Sequence, residues 1–125
     1  MAHADMRQRA TQGSIRFTSW NVRGLGGPTK RARVFSHLED MTTDIAFLQE
    51  THLRVCDHTR LRKPWVGQVF HSSFNSRSRG TAIVLHERLQ FSLEKCISDT
   101  NGRYIIVVGV LLQTPVIMVC VYAPK

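Results

Sequence analysis

The sequence predicts an α/β fold, a βαβ unit followed by mainly antiparallel strands, and three observations predict it. Residues 15–50 read as strand, glycine-rich loop, amphipathic helix and strand. From Trp65 onward, five runs rich in Val, Ile, Leu and Phe are separated by turn-forming residues. The chain has 125 residues with 42% apolar content, enough for one domain with a core of its own, which excludes disorder and collagen-like repetition.

In the first strand, Ile15 to Asn21, apolar Ile15 and Phe17 alternate with polar neighbours, and Gly24, Gly26, Gly27 and Pro28 then force the backbone to bend. From Thr29 to Met41, the apolar residues Val34, Phe35, Leu38 and Met41 recur at helical spacing, while Lys30, Arg31 and Arg33 point elsewhere. Asp44 to Glu50 (DIAFLQE) is a short continuous apolar run, the pattern of a strand covered on both faces, with Gln49 and Glu50 at its carboxyl end. Two strands joined by one helix run parallel, so Asn21 and Glu50 are delivered to the same edge of the sheet, the edge at which α/β proteins bind ligands.

The later strands are predicted at Trp65 to His71, Thr81 to His86, Leu89 to Cys96, Tyr104 to Leu112 and Val116 to Tyr122, with turns at Asn101-Gly102 and Thr114-Pro115. Tyr104 to Ala123 has the length of a membrane span, but Gln113, Thr114 and Pro115 interrupt it and Ile and Val dominate its flanks, so two strands and no membrane segment are expected. Met1 to Gly13 carries early charges without the apolar stretch of a secretory signal and reads as a flexible leader to a domain spanning 14–125.

Charge narrows the partners. Lys and Arg total 17 against 9 Asp and Glu, a net charge of +8, and thirteen of the cations are Arg, the side chain suited to phosphate or carboxylate. The three cysteines, Cys56, Cys96 and Cys120, show no CxxC spacing, which favours a reducing intracellular setting, nuclear or cytoplasmic. His52, Cys56 and His58 lie close together in sequence, but a zinc site needs a fourth ligand at a recognised spacing and none follows.

Asn21 and Glu50 are the sharpest candidate pair. A carboxylate can hold Mg²⁺, which polarises a phosphoryl oxygen, and an amide can hold a phosphate oxygen or orient the carboxylate without adding repulsive charge. The plainer alternative is that both are ordinary polar strand ends. The strings Ser19-Trp20-Asn21-Val22-Arg23-Gly24-Leu25, Leu48-Gln49-Glu50-Thr51-His52-Leu53, Gly80-Thr81-Ala82-Ile83-Val84-Leu85 and Val121-Tyr122-Ala123-Pro124 occur in that order. Together they resemble the endonuclease/exonuclease/phosphatase superfamily, and most nearly the apurinic-type endonuclease domain of LINE-1-like non-LTR retrotransposon polyproteins.

That resemblance implies half of a DNase I-like α/β sandwich, its amino-terminal half. It further implies DNA as substrate and Mg²⁺ as cofactor, with Asn21 and Tyr122 catalytic and Glu50 the metal ligand. His52 is expected to support Glu50 from behind, and Arg77 and Arg79 to form a cationic loop facing the DNA backbone, although a merely solvated charged turn accounts for them equally well. Trp20 is expected in the core. Inositol-phosphate and sphingolipid phosphodiesterases share the superfamily, but the basic surface and the QETH string favour DNA.

The later motifs of the superfamily, a GDFN-like Asp and Asn and an SDH-like Asp and His, have no counterpart here, and His86 stands in the wrong order to replace the general base. The isolated chain is therefore expected to be inactive as an endonuclease, and the competing reading is a catalytically dead, nucleic-acid-binding remnant of a retroelement. A sandwich divided in this way is also expected to expose an apolar sheet face along Tyr104 to Tyr122, favouring self-association or a companion chain.

Overall fold

A computed structural model describes residues 14–124, so the leader assigned to Met1–Gly13, and Lys125, lie outside the described residues. The elements follow as β1 (Phe17–Asn21), α1 (Pro28–Asp40), β2 (Ile45–Gln49), a 3₁₀ segment (Val55–Leu61), β3 (Val66–Ser72), β4 (Thr81–His86), β5 (Phe91–Ser98), β6 (Tyr104–Leu111) and β7 (Thr114–Val121). They form a four-stranded sheet in the order β1-β2-β4-β3 and a three-stranded sheet in the order β5-β6-β7.

The predicted βαβ unit is present. β1 and β2 run parallel with Phe17 opposite Ile45 and Asn21 opposite Gln49, which brings both carboxyl ends to one rim. β4 lies antiparallel to both β2 and β3, and β5, β6 and β7 form an antiparallel meander. The helix starts where the glycines permit it: Gly27 is extended at the N-cap and Pro28 occupies the first turn, where its missing N–H costs nothing. In place of a side-chain cap, the Arg31 guanidinium donates to the carbonyls of Leu25 and Gly26.

Because side chains alternate across a strand, β2 and β4 feed two cores. On one face Ala46, Leu48, Ala82 and Val84 meet Val34, Phe35 and Leu38 of α1, together with Leu25, Leu53 and Trp65. On the other, Ile45, Ile83 and Leu85 meet Ile105, Val107, Leu111, Met118 and Cys120 of the second sheet. Each fully buried Leu or Ile contributes about 1.5–3 kcal/mol, so the Glu50 side of the rim is carried on strands anchored in two cores, and β1, the edge strand that carries Asn21, is held by its pairing to β2. Trp20 is half-buried against the helix-side core, edge-on to His37 at 5.5 Å.

Several expectations need correction. The hairpin between β6 and β7 turns at Leu112-Gln113, whose φ values of 48° and 69° define a two-residue loop of the type that matches strand twist. Thr114 and Pro115 therefore belong to β7, and Pro115 is tolerated because β7 is an edge strand. The 3₁₀ segment, which the sequence pattern does not predict, has too few periodic apolar residues to announce itself. β5 starts later than expected because the chain changes sheets there, with Leu89 buried at the corner.

The exposed apolar face also differs from expectation. The two sheets already pack together within this chain, so the inward face of β6 and β7 is covered. Among the described residues the outward face of this sheet stays exposed at Ile97, Tyr104, Ile117, Val119 and Val121, so the stretch from Tyr104 is exposed on that face, and Leu93 of β5 and Phe17 on the edge strand β1, 59% exposed, are exposed separately. Among the described residues no helix is long and apolar enough to cross a membrane.

Candidate active site

Asn21, the last residue of β1, and Glu50, immediately after β2, meet as the parallel pairing requires. The Asn21 amide Nδ2 donates to Glu50 Oε2 at 2.6 Å. Chain crossings fix both strand ends: Val22 N–H donates to Gln49 O, Gly24 N–H to Glu50 O and Leu25 N–H to Thr51 O. Glu50 itself adopts φ +57°, a left-handed conformation that costs a non-glycine residue about 1–2 kcal/mol and persists only because its neighbours enforce it.

His52 sits on the far side of the carboxylate, with Nε2 3.4 Å from Glu50 Oε1. It fits there because Gly24, at φ +98°, has no side chain: a Cβ at that position would come within 2.9 Å of His52 Nδ1. The hydrogen bond from Asn21 is the largest influence on Glu50 and holds its carboxyl below the usual carboxylate range, His52 and the positive charge of Arg23 acting in the same direction. Glu50 is thus an ionised, oriented carboxylate at neutral pH.

Asn21, Glu50 and Tyr122 line one open cavity of about 410 Å³ together with Arg23, Ala123 and Pro124. Tyr122 follows β7 and is held by its N–H bond to Arg103 O at 2.7 Å. The three residues expected to do chemistry are therefore brought together, with His52 in contact behind them. Arg77 and Arg79 do not line this cavity. Their loop is ordered by Asn75 Oδ1, which accepts from the N–H groups of Arg77 and Ser78, and the Arg79 guanidinium lies 4.5 Å from the centroid of the Phe74 ring. The loop is nonetheless tied to the site, because Thr51 N–H donates to Gly80 O and His52 N–H to Arg79 O.

His86 closes the opposite end of β4, since Thr81, not His86, pairs with Gln49, and it packs against Trp65 at 5.7 Å. His58 stacks on His71 at 4.7 Å, with Nδ1 2.9 Å from the carbonyl of Val55, and so turns to partners other than His52. Arg23 is the cavity residue that the sequence reading passed over. Its signal was a cation two residues beyond the strand-end Asn, just before a glycine.

Mg²⁺ is commonly held by one or two carboxylates with waters and substrate phosphate oxygens filling the remaining positions. Glu50 suits that arrangement: it is ionised, partly exposed and, among the described residues, the one carboxylate lining the cavity. Among the described residues no cluster of three or more His, Cys, Asp or Glu side chains offers a closed site, so the donor set fits a hydrated ion shared with a phosphate. Bound there, the ion would supply Lewis-acid polarisation of a phosphoryl oxygen. The chain's own residues hold and orient: Asn21 fixes the carboxylate, and the Tyr122 hydroxyl can donate to a phosphate oxygen.

This geometry lies within a partial DNase I-like sandwich, the fold of the endonuclease/exonuclease/phosphatase superfamily. Among solved structures, the chain superposes on the AP endonuclease LMAP of Leishmania major with a TM-score of 0.67 at 19% identity, covering 88% of this chain and 40% of that one. It also superposes on humanized TDP2 of D. rerio with a TM-score of 0.60 at 25% identity, covering 84% and 45%, and on D. rerio TDP2 complexed with a single-strand DNA product with a TM-score of 0.60 at 24% identity.

In sequence the chain is similar to the RNA-directed DNA polymerase from mobile element jockey, 37% identical over 113 residues in Drosophila melanogaster and 32% over 117 residues in Drosophila funebris. It spans 12% of the length of each of these relatives. No family model matches the chain. The comparisons bear out the resemblance to the superfamily and to retrotransposon-encoded proteins.

Proposed function

We propose that this chain carries part of the active site of a Mg²⁺-dependent, LINE-1-like retrotransposon endonuclease that hydrolyses phosphodiester bonds in DNA. The observation that carries this reading is the 2.6 Å contact between Asn21 and Glu50 at the carboxyl ends of two parallel strands, in a cavity shared with Tyr122. Glu50 holds the metal, Asn21 aligns Glu50, Tyr122 positions the phosphate, and His52 supports the carboxylate. Arg77 and Arg79 extend the DNA contact along the adjoining loop.

The chain alone does not turn over. Among the described residues the cavity is lined by one carboxylate, and the His52 imidazole is engaged with it, so none of these is free to activate an attacking water, a contribution worth about 10²–10⁴ in rate. The +8 charge and the parallel with a neighbour seen with a single-strand DNA product support DNA over other phosphodiesters.

The test is DNA binding measured at constant ionic strength with and without millimolar Mg²⁺, alongside a plasmid-nicking assay. Mg²⁺ should tighten binding of the wild-type chain and not of Glu50→Ala, and supercoiled plasmid should stay intact with both. If Mg²⁺ weakens both proteins equally, as a competing counterion does, the metal-site reading is wrong and the inert DNA-binding remnant replaces it.

A further inference from the structure

We infer that Arg23 is a phosphate-binding residue of this site, gripping a non-bridging oxygen of the DNA backbone beside Glu50; the inference rests on the reading above and adds a recognition group to it. The first support is position. Arg23 lines the same cavity as Asn21, Glu50 and Tyr122, where Glu50 would otherwise repel an anionic phosphodiester. A guanidinium beside the carboxylate offsets that repulsion and offers a planar fork of donors matched to phosphate.

The second support is how firmly Arg23 is held. Its backbone is left-handed at φ +50°, a conformation that favours glycine. Three contacts hold it there: its N–H donates to Asn21 Oδ1 at 3.2 Å, its carbonyl accepts from Lys30 Nζ at 2.8 Å, and the next N–H donates to Glu50 O at 2.7 Å. One amide, that of Asn21, thereby orients both charges of the cavity, the carboxylate through Nδ2 and the backbone of the arginine through Oδ1. Local strain over-determined by its surroundings is a mark of functional positions.

The third support is that Arg23 is the arginine lining the cavity, and several other arginines already have side-chain partners, whereas Arg77 and Arg103, which have none among the described residues, do not line it. Arg31 donates to two loop carbonyls, Arg54 and Arg60 pair with Asp57, Arg88 pairs with Asp44, and Arg79 lies over Phe74. Among the described residues the Arg23 side chain makes no ion pair or hydrogen bond, so its donors are available to a ligand at the cavity.

The experiment is a fluorescence-anisotropy titration of a short labelled duplex over a range of salt concentrations in EDTA, which removes any contribution from metal. The proteins are the 125-residue chain, Arg23→Ala, Arg23→Lys, Arg23→Gly and the charge-matched control Lys95→Ala, an exposed cation on the far edge strand. Arg23→Ala should weaken binding by about tenfold and lower the salt slope by about one, the signature of one lost phosphate contact. Arg23→Lys should keep the slope and lose part of the affinity. Arg23→Gly should bind as weakly as Arg23→Ala while melting at an equal or higher temperature, which separates ligand loss from unfolding.

Equal losses for Arg23→Ala and Lys95→Ala would overturn the inference, since any positive charge would then serve. Wild-type binding undisturbed by Arg23→Ala overturns it too, and leaves the reading of Glu50 standing. A wild-type chain that binds no DNA at all sinks the proposed function together with this residue.

Discussion

Gly80→Ala probes the joint between the arginine loop and the Glu50 segment. Gly80 has φ +98°, and a Cβ placed there would overlap Thr51 Oγ1 and approach His52 N at 3.4 Å. An alanine forced into the left-handed region costs about 1–2 kcal/mol, and overpacking adds about 1–3 kcal/mol. Because Thr51 is buried, its hydroxyl has little room to retreat, which sets the expected destabilisation near 3 kcal/mol. Thr51→Ala removes the overlapping oxygen and leaves Thr51 Cβ at an ordinary 3.5 Å, so Gly80→Ala made in that background should cost only the backbone part. The assay is urea unfolding of all four proteins of the cycle, followed by the fluorescence of Trp20 and Trp65. A coupling energy of about 1–2 kcal/mol is expected. Equal costs in both backgrounds, or a Gly80→Ala loss below about 1 kcal/mol, would show that the Thr51–Gly80 approach is not tight and refute the packing argument.

Three further outcomes follow from the same geometry. Asn21→Ala should raise the Glu50 pKa toward the ordinary carboxylate value, and Asn21→Asp should raise it further by adding a like charge; a carboxyl carbon NMR titration reads this, and an unshifted Glu50 would contradict the assigned cause. Burial pushes the imidazoles of His71 and His86 below the ordinary histidine value, so the unfolded chain takes up protons first. Stability from these groups is whole above about pH 6.5 and declines as pH falls through their depressed values, so the melting temperature should drop between about pH 7.5 and pH 5.5, and less so in His71→Gln; a flat profile over that range would contradict their burial. Arg88→Ala should destabilise by about 3 kcal/mol in urea unfolding, because it leaves Asp44, 4% exposed, without the guanidinium 2.7 Å away; a loss under about 1 kcal/mol would mean that the Arg16 N–H at 2.8 Å suffices.

Much of this fold is legible because the strongest physical signals lie in the chain's simplest periodicities. The continuous run of Asp44 to Glu50 announces a strand buried on both faces, and β2 does contact both cores through Ala46 and Leu48 on one side and Ile45 and Phe47 on the other. Parallel pairing then compels Asn21 and Glu50 to share a rim, whatever the loops do. Turn chemistry is less legible. Leu112-Gln113 lacks the Asn or Gly that usually marks a two-residue hairpin, and Thr114-Pro115 supplies a false signal, because propensity is outweighed by the register of β6 on β7. The 3₁₀ segment rests on Asp57 accepting from Arg54 N–H and its guanidinium, a local ion pair that hydrophobic spacing does not report. Which face of the second sheet is exposed could not be read from an unbroken apolar run, since both faces of β6 and β7 carry Ile and Val.

The least legible feature is the concentration of left-handed backbone at the rim. Arg23, Glu50, His52 and Arg79 all have positive φ, and Gly24 and Gly80 join them. At about 1–2 kcal/mol for each non-glycine residue, this strain would unravel a free loop. It holds because the residues are stitched across three strand ends by the bonds of Gly24 to Glu50, Leu25 to Thr51, Thr51 to Gly80 and His52 to Arg79, and because β2 and β4 beneath them are anchored in two cores. The cost of ordering the site is thereby met on folding, before any ligand arrives. A carboxylate oriented by Asn21 and an arginine whose backbone is pinned, both lining the open cavity, would need little reorganisation to meet a metal ion or a phosphate, as electrostatic preorganisation requires. The same reasoning gives the site a directional dependence: perturbing the cores should blur the rim, whereas removing a rim charge should leave the cores intact, so binding and stability should separate for Arg23 and Glu50 and fall together for Gly80.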